Sequence, residues 1–283
     1  AGRDKIEELY LTTCPTCGEK VPADWLEWSK AYETPEHKIH AVISECKKLR
    51  PGRYLAKDSH HKEEFRPLEA KRVADVMVAI HVKCPRCEKK STFAPSEDDH
   101  KLARKWEQNY DDIVCNEELN IPDEAIPDMN MARENALFKR AITHFRDLFS
   151  KRNLIGNCRL KQAILASGFK DEIRDFLGLV FSGSLRFTNN MVFRNEAWRG
   201  DKPLEWAKPA YWIPELSMET NVWLHFRGRL RSIGTAKKFS KNEIKPSAKH
   251  TSIPNLLKET SAQENQFVLI TGSSDKLPLP DAS

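Results

Sequence analysis

The chain has 283 residues, of which 40% are hydrophobic and 31% charged, a balance typical of one or two soluble globular domains. No apolar run approaches the roughly 20 residues of a membrane span, and no basic-then-apolar leader opens the chain, so the sequence predicts a cytoplasmic protein without membrane contact. The seven cysteines are an odd number, which argues against the disulfide framework of a small secreted protein.

Two Cys-Pro-x-Cys pairs organise the first third of the chain. Cys14 and Cys17 follow a predicted helix and strand, and Cys84 and Cys87 follow a second strand-like run. Four thiolates on two tight turns suit the tetrahedral coordination of Zn²⁺, and such pairs at strand ends are typical of a zinc ribbon. We therefore predict one closed structural zinc site in a zinc-ribbon domain at residues 1–95.

Two other interpretations of these cysteines exist. Ordinary buried thiols are one, and a redox pair of the kind that follows a strand in a βαβ unit is the other. Neither accounts for two matching Cys-Pro-x-Cys turns. Cys46, Cys115 and Cys158 stand alone without a cysteine or histidine at ligand spacing, and we expect them to be reduced.

The two pairs are separated by 66 residues, far more than a compact ribbon needs. The excess is a polar insertion at about 31–68, for which we predict at least one helix near 37–49. It contains four histidines that either compete as metal ligands or lie scattered on the surface. These are His37, His40, His60 and His61.

Helical patterns follow the ribbon. A helix and a linker are predicted over residues 96–130. Beyond them, apolar spacing predicts helices at 131–149 and 153–166 and a third that begins at Asp171, which together cover 131–182.

Two segments of different composition precede a final apolar strand, which is predicted at 266–271. Residues 183–224 are irregular and rich in tryptophan and asparagine, as in surfaces where rings stack on bases, although the tryptophans equally suit a role in pinning a long loop. Residues 225–260 are predicted to be a basic loop. From His225 to Lys258 it has nine lysines and arginines against one acid, Glu243, a local charge of +8. Such a segment suits a polyphosphate backbone, and the alternative is a solvated loop.

Four features resemble, in the same order, the zinc-ribbon-containing, adenine-specific DNA methylases. They are the paired cysteine turns, Asp-Leu-Phe-Ser-Lys-Arg-Asn-Leu at 147–154, Glu-Thr-Asn-Val-Trp at 219–223, and the segment 270–283. The chain departs from that family at Asn153, where glutamine is usual, and at Ser273, where related methylases often have aspartate.

The resemblance implies a fold, an activity and partners. The implied fold is α/β, a partial Rossmann-like methyltransferase domain at 131–283, mostly helical here, with an inserted zinc ribbon. The implied activity is methyl transfer from S-adenosylmethionine to an exocyclic base amine, most often of adenine, with Zn²⁺ as a second cofactor. DNA is the implied partner, together with components of a defence or restriction system.

Particular residues follow from the resemblance and from the charge pattern. Contacts with S-adenosylmethionine are expected at Ser273, Ser274 and Asp275. Contacts with DNA are expected at Arg152, Asn189, Asn190, Arg194, Trp198, Asn221, Trp223, Arg227, Arg229, Arg231, Lys237, Lys238 and Lys241.

The 283 residues contain neither the Asp-Pro-Pro-Tyr tetrapeptide nor the Gly-rich cofactor loop of that family. This predicts an internal piece of a methylase that is inactive in isolation. The alternatives are a non-catalytic zinc-ribbon protein that binds nucleic acid and a metal-stabilised module that binds another protein.

Overall fold

A computed structural model describes residues 2–194, 202–204, 211–243, 248–250 and 265–267. They belong to two units, Ala1–Leu230 and Arg231–Ser283. The first half of the first unit contains, in order, α1 (Gly2–Glu7), β1 (Leu11–Thr13), β2 (Lys20–Pro22), β3 (Trp25–Glu33), β4 (His40–Val42), β5 (Lys47–Arg50), β6 (Arg53–Lys57), β7 (Lys62–Phe65), β8 (Lys71–Lys83) and β9 (Lys90–Phe93). Then follow α2 (Glu97–Gln108), α3 (Tyr110–Asn116), α4 (Asn130–Glu134), α5 (Lys151–Leu165), α6 (Asp171–Ser184), β10 (Phe193–Arg194), β11 (Pro203–Leu204), β12 (Leu216–Thr220), α7 (Val222–Glu243), β13 (Ala248–His250) and β14 (Asn265–Phe267).

The central sheet is antiparallel and is built on the two longest strands, β3 and β8. Its order is β12-β3-β8-β9, with β4 also paired to β3. The two long strands pair from Trp25 opposite His81 to Glu33 opposite Lys71, and two register shifts interrupt the ladder. Leu26 and Ile80, which face each other, are almost fully buried, so this pair anchors the core of the ribbon region.

The polar insertion is folded as a β-structure. Strands β5, β6 and β7 form a three-stranded antiparallel sheet, and the helix predicted near 37–49 is absent, replaced by β4, a short 3₁₀ turn at Ile43–Glu45 and β5. The alternating pattern of β6 and β7 buries Tyr54, Ala56 and Phe65 against Tyr32. Tertiary pairing of alternating strands therefore decides this region, where charge and histidine content had suggested a loosely helical insertion.

Helices α5 and α6 match the sequence pattern, whereas the helix predicted at 131–149 is wrong. There α4 ends at Glu134, and two 3₁₀ turns follow at Phe138–Arg140 and Phe145–Leu148. Ala136 and Ala141 adopt left-handed backbone conformations that interrupt any continuous helix. The apolar residues that suggested a helical stripe instead form a compact cluster of Ile126, Ala132, Leu137, Ile142, Leu148, Met191 and Ile213.

The predicted fold class, a Rossmann-like α/β domain with a parallel sheet, is wrong. The strands of the first unit pair antiparallel. One of them is β12, which lies within the segment 183–224 that was predicted to be irregular and pairs with β3. Among the described residues the single parallel pairing is that of β13 with β14, three residues long, in the second unit. As far as residues 2–194, 202–204 and 211–230 show, the central sheet therefore lacks the parallel strands at whose carboxyl ends nucleotide cofactors bind in doubly wound folds.

The segment predicted to be a basic loop is helical from its start to residue 243. Helix α7 has 22 residues and follows Asn221, whose side-chain oxygen accepts a hydrogen bond from the Leu224 amide at 3.2 Å. This is the N-cap arrangement that starts a helix. Within the described part of the chain, no helix combines the length and the apolar character needed to cross a bilayer.

Candidate metal centre and motif cluster

Each cysteine pair occupies a turn between two antiparallel strands. The first turn joins β1 to β2, and the second joins β8 to β9. The Cys14 amide donates to the Glu19 carbonyl at 2.8 Å, and the Cys84 amide donates to the Lys89 carbonyl at 3.0 Å. The same backbone hydrogen bond thus closes both turns, and the hairpins hold their two cysteines on the inner side of a tight loop.

The two turns meet, as predicted, and bring the four cysteines together. The Cys14 and Cys87 sulfurs are 3.8 Å apart, and the Cys17 and Cys84 sulfurs are 3.6 Å apart. A tetrahedron with Zn–S bonds of about 2.3 Å has edges of about 3.8 Å, so these spacings match four ligands of one ion. The donor set therefore fits Zn²⁺, and it is a group that can bind a metal ion.

Burial and electrostatics at the site agree with this arrangement. Cys14 and Cys84 are 1% and 0% exposed. Hydrogen bonds lower the pKa of Cys14 to about 6 despite its burial, and the largest contribution is that of the Thr16 amide. The Glu19 amide favours the Cys17 thiolate, but burial and the neighbouring cysteines outweigh it and raise the pKa of Cys17 to about 12. Crowded sulfurs that cannot all ionise by themselves are the donor set that a divalent cation stabilises as thiolates.

Contacts outside the sulfur cluster orient the two turns. The Arg86 guanidinium on one turn is 2.5 Å from the Glu19 carboxylate on the other, at an exposed position. The Thr12 hydroxyl of β1 donates to the Asp99 carboxylate at 2.7 Å, and Asp99 also forms the capping box with Ser96 at the start of α2. The first helix after the ribbon is thereby fixed to the first ribbon strand.

The two sequence motifs at 147–154 and 219–223 come together around the carboxylate of Glu219, which is 5% exposed. Trp28 Nε1 donates to it at 2.8 Å and the Ser150 hydroxyl at 2.5 Å, while Arg152 Nε is 3.4 Å away. Asn153 completes the cluster by accepting a hydrogen bond from the Tyr10 hydroxyl at 2.5 Å. Burial raises the pKa of Tyr10 far above its ordinary value, so this phenol donates as a neutral group.

Close packing joins these motifs to the ribbon. At Gly156 in α5 an added Cβ would lie 3.1 Å from Val222 at the start of α7 and 3.4 Å from Leu9. The Asn221 amide donates to the Asp24 carbonyl at 3.0 Å. The cysteine ribbon and both motifs are therefore parts of one packed unit.

Several residues predicted to contact DNA are buried and bonded internally. Arg152 is 7% exposed, and Asn189 and Asn221 are each 3% exposed. Asn189 donates to the Leu185 carbonyl, and Asn221 donates to the Ala23 carbonyl. Contact with DNA by these residues stays a prediction, but in this conformation their side chains hold the fold together.

The other predicted contacts lie nearer to the surface. Arg194 is partly exposed, 3.5 Å from Glu27, and Asn190 is partly buried. Trp223 packs against Phe226, with ring centroids 5.9 Å apart. Arg227 and Arg229 are partly buried and Arg231, Lys237 and Lys238 are exposed, all on α7 together with Lys241. Trp198, Ser273, Ser274 and Asp275 lie outside the described residues.

Sequence reasoning missed two features of the site. Glu219 was recognised as part of a motif but not as the buried acceptor at its centre. A carboxylate within an otherwise apolar and amide segment is the signal that points to such a partner. Helix α7 was also missed, although Val222, Phe226 and Leu230 recur at helical spacing behind the Asn221 cap.

Comparisons of this chain with protein-family models, curated proteins and solved structures found no match.

Proposed function

We propose that this chain is the zinc-stabilised, DNA-binding part of an S-adenosylmethionine-dependent methylase that acts on an exocyclic base amine, most often of adenine. The observation that carries the proposal is the meeting of three separated motifs in one unit. The four cysteines approach one another at metal-ligand spacing, and segments 147–154 and 219–223 join through Glu219. Motifs that share a resemblance and also pack together are more informative than the same motifs scattered along a chain.

The zinc ion would be structural. Cys14, Cys17, Cys84 and Cys87 would supply all four ligands, which leaves no open position for a water molecule or substrate. The ion would clamp the two hairpin turns together at one end of β8. Its role is therefore to stabilise the surface that follows the ribbon and to take no part in the reaction.

DNA binding would use the basic residues of α7. In a helix of 3.6 residues per turn, Arg231 and Lys238 fall within about 20° of one another, so they lie on one side of the helix. Arg231 and Lys238 are exposed. A line of cations matches the line of phosphates along a nucleic-acid backbone and releases condensed counterions on binding.

The methylase proposal rests on the resemblance, and the geometry supports it only through the convergence of the motifs. S-adenosylmethionine, when bound, supplies an activated methyl group. An exocyclic amine is reached after the base is turned out of the duplex, and aromatic side chains commonly stack on such a base. What the described residues would contribute is the grip on the DNA backbone and a rigid base on which the reacting elements are placed.

The test of catalysis is methyl transfer to DNA by the complete enzyme of which this chain is the proposed internal piece. We expect a tritiated methyl group from S-adenosylmethionine to appear in the exocyclic amine of adenine. Binding of DNA without any labelling would favour the alternative, a non-catalytic zinc-ribbon protein that binds nucleic acid. Labelling of cytosine would correct the target base.

The test of the DNA surface is the salt dependence of binding to duplex DNA. Replacement of both Arg231 and Lys238 by alanine should reduce the slope of log affinity against log salt by about 2, because each lost phosphate contact removes about 0.9. The control carries Lys47→Ala and Lys48→Ala on β5, which removes the same charge from exposed positions outside α7. Equal loss in both variants would show that net charge, and not α7, determines binding.

A further inference from the structure

A third turn in the chain has the backbone of the two cysteine turns. It joins β3 to β4 and begins with Thr34, whose amide donates to the Ile39 carbonyl at 3.0 Å. The matching bonds in the cysteine turns start at Cys14 and Cys84. All three turns also have a left-handed residue four positions later, with φ of 56° at Lys38, 73° at Gly18 and 59° at Glu88.

The side chains of this third turn occupy the ligand positions of the other two. Its sequence is Thr-Pro-Glu-His, so Thr34 takes the place of the first cysteine and His37 takes the place of the second. In the cysteine turns the second position projects a metal ligand. Here the same backbone presents an imidazole, which is a common ligand of zinc and of other borderline divalent ions.

The turn between β6 and β7 provides a second imidazole. The rings of His37 and His61 have centroids 4.4 Å apart. Both histidines are exposed, so ions from solution can reach them. Two hairpin turns thus face each other here, as the two cysteine turns do at the other site.

A carboxylate contacts one nitrogen of each imidazole. His37 Nδ1 is 3.1 Å from the Glu63 carboxylate, and His61 Nδ1 is 3.3 Å from the Asp58 carboxylate. A carboxylate that accepts the Nδ1 proton leaves Nε2 with its lone pair directed outward, which is the usual arrangement behind a metal-bound histidine. Ligand atoms of Glu36, His37 and Glu63 lie within 4.8 Å of one another, so Glu36 offers an additional oxygen to an ion at His37. His61 adjoins this group through its ring contact with His37.

The turn holds its shape without a metal ion. The buried Glu63 carboxylate accepts hydrogen bonds from the Glu36 amide at 2.8 Å and from the His37 amide at 3.0 Å. The Thr34 hydroxyl accepts a hydrogen bond from the Ile39 amide at 3.0 Å. These bonds satisfy the backbone groups of the turn, so an ion that binds here is not needed for folding.

We propose that His37 and His61, with Glu36, form a second metal site that takes a borderline divalent cation such as Zn²⁺. It differs from the cysteine site because it is exposed, uses nitrogen and oxygen ligands, and leaves positions for water. Its ion is therefore exchangeable, whereas the ion of the cysteine site is enclosed. The proposal is independent of DNA binding and of methyl transfer.

The test is a zinc titration of the full chain whose cysteine site is already loaded. A second equivalent should bind without a change in the far-ultraviolet circular dichroism, and a mild chelator should remove it before the first. His37→Ala should abolish the second equivalent and leave the first in place. His40→Ala is the matched control, because His40 is exposed at the first position of β4 on the same hairpin and is not part of the ligand group.

A further variant examines the carboxylate behind His61. Asp58→Asn should weaken the second equivalent by about 10-fold to 100-fold, as expected for the loss of a carboxylate partner of a metal-bound histidine. A titration that stops at one equivalent would overturn the proposal. So would a second equivalent that is insensitive to His37→Ala, because its ligands would then lie elsewhere.

Discussion

Glu88 adopts a left-handed backbone conformation that is normally costly for a residue with a side chain. Its φ is 59°, and the equivalent residue of the first cysteine turn is Gly18, with a φ of 73°. Nothing lies within 4 Å of a Cβ placed at Gly18, so the difference between the two turns is one of backbone conformation alone. Left-handed conformations cost an L-residue about 1–2 kcal/mol, and glycine avoids this cost.

We expect Glu88→Gly to raise the free energy of unfolding by about 0.5–1 kcal/mol, and Gly18→Ala to lower it by about 1 kcal/mol. Urea denaturation in excess zinc measures both changes. Opposite signs in the two variants are the expected result. A loss of stability in Glu88→Gly would mean that the glutamate side chain contributes more than its backbone conformation costs.

Asp24 is a partly buried carboxylate beside the central sheet. Burial raises its pKa to about 6, and the charges of Lys83, Arg227 and Lys90 together with the Lys83 amide offset only part of that effect. His81 Nε2 is 3.8 Å away. The folded protein thus binds this proton more tightly than the unfolded chain, so the contribution of Asp24 to stability falls as the pH rises from about 4 to about 6.

We expect Asp24→Asn to be more stable than the parent protein at pH 8 by up to about 3 kcal/mol, and to differ little from it at pH 4. The measurement is urea denaturation across this pH range. Asp112→Asn is the control, because Asp112 is exposed on α3. A parallel pH profile for parent and Asp24→Asn would contradict the assignment.

At the scale of secondary-structure elements, Glu219 joins β12 to α5 and to β3. Its carboxylate accepts hydrogen bonds from Trp28 and Ser150 and forms a buried ion pair with Arg152. Removing one member of a buried pair leaves the other charge without compensation, and this typically costs about 3–5 kcal/mol. The connection matters because β12 is the strand that the sequence did not reveal.

We expect Glu219→Gln to lower the free energy of unfolding by about 3 kcal/mol, while the double variant Glu219→Gln, Arg152→Met loses less than the two single changes added together. A double-mutant cycle measured by urea denaturation gives the coupling. The exposed pair of Arg104 and Glu97, 2.6 Å apart on α2, is the control and should couple by no more than about 1 kcal/mol. Additive effects at Glu219 and Arg152 would show that the pair is not coupled.

At the scale of the molecule, the cysteine site closes a loop of more than 60 residues. Cys17 and Cys84 are 67 positions apart, and the insertion lies between them together with β2, β3 and β8. Metal binding and folding are coupled where ligands come from distant hairpins. The insertion has its own buried cluster around Tyr54 and Phe65, so it depends less on the ion than the cysteine turns do.

We expect the chain as purified to contain at least one equivalent of zinc and Cys84→Ser to lose the tightly bound equivalent, with faster amide exchange in β1, β2, β8 and β9. The exchange of β6 and β7 should change less. Elemental analysis and hydrogen exchange measure the two effects. Cys115→Ser is the control, since Cys115 is exposed and apart from the cluster, and undiminished tight metal in Cys84→Ser would show that the ligands are misassigned.

The sequence by itself determined the features whose signals are local. The Cys-Pro-x-Cys turns, a helix near the start of 96–130 and the helices α5 and α6 are each set by residues within a few positions of one another, and the structure has all of them. The meeting of the four cysteines was also predictable, because a tetrahedral site needs both pairs. Helix α7 has the sequence signals of a cap and an apolar period, but its positive charge favoured the prediction of a basic loop.

Only the tertiary structure decided the features that depend on partners distant in sequence. Strand β12 exists because β3 accepts it, and the insertion is a sheet because Tyr54 and Phe65 pack on Tyr32. Apolar residues at 131–149 have helical spacing, yet they are buried in a cluster with Met191 and Ile213, which no local pattern reveals. Burial against distant residues outweighs local propensity, and the sheet is antiparallel although the family resemblance implied a Rossmann-like fold.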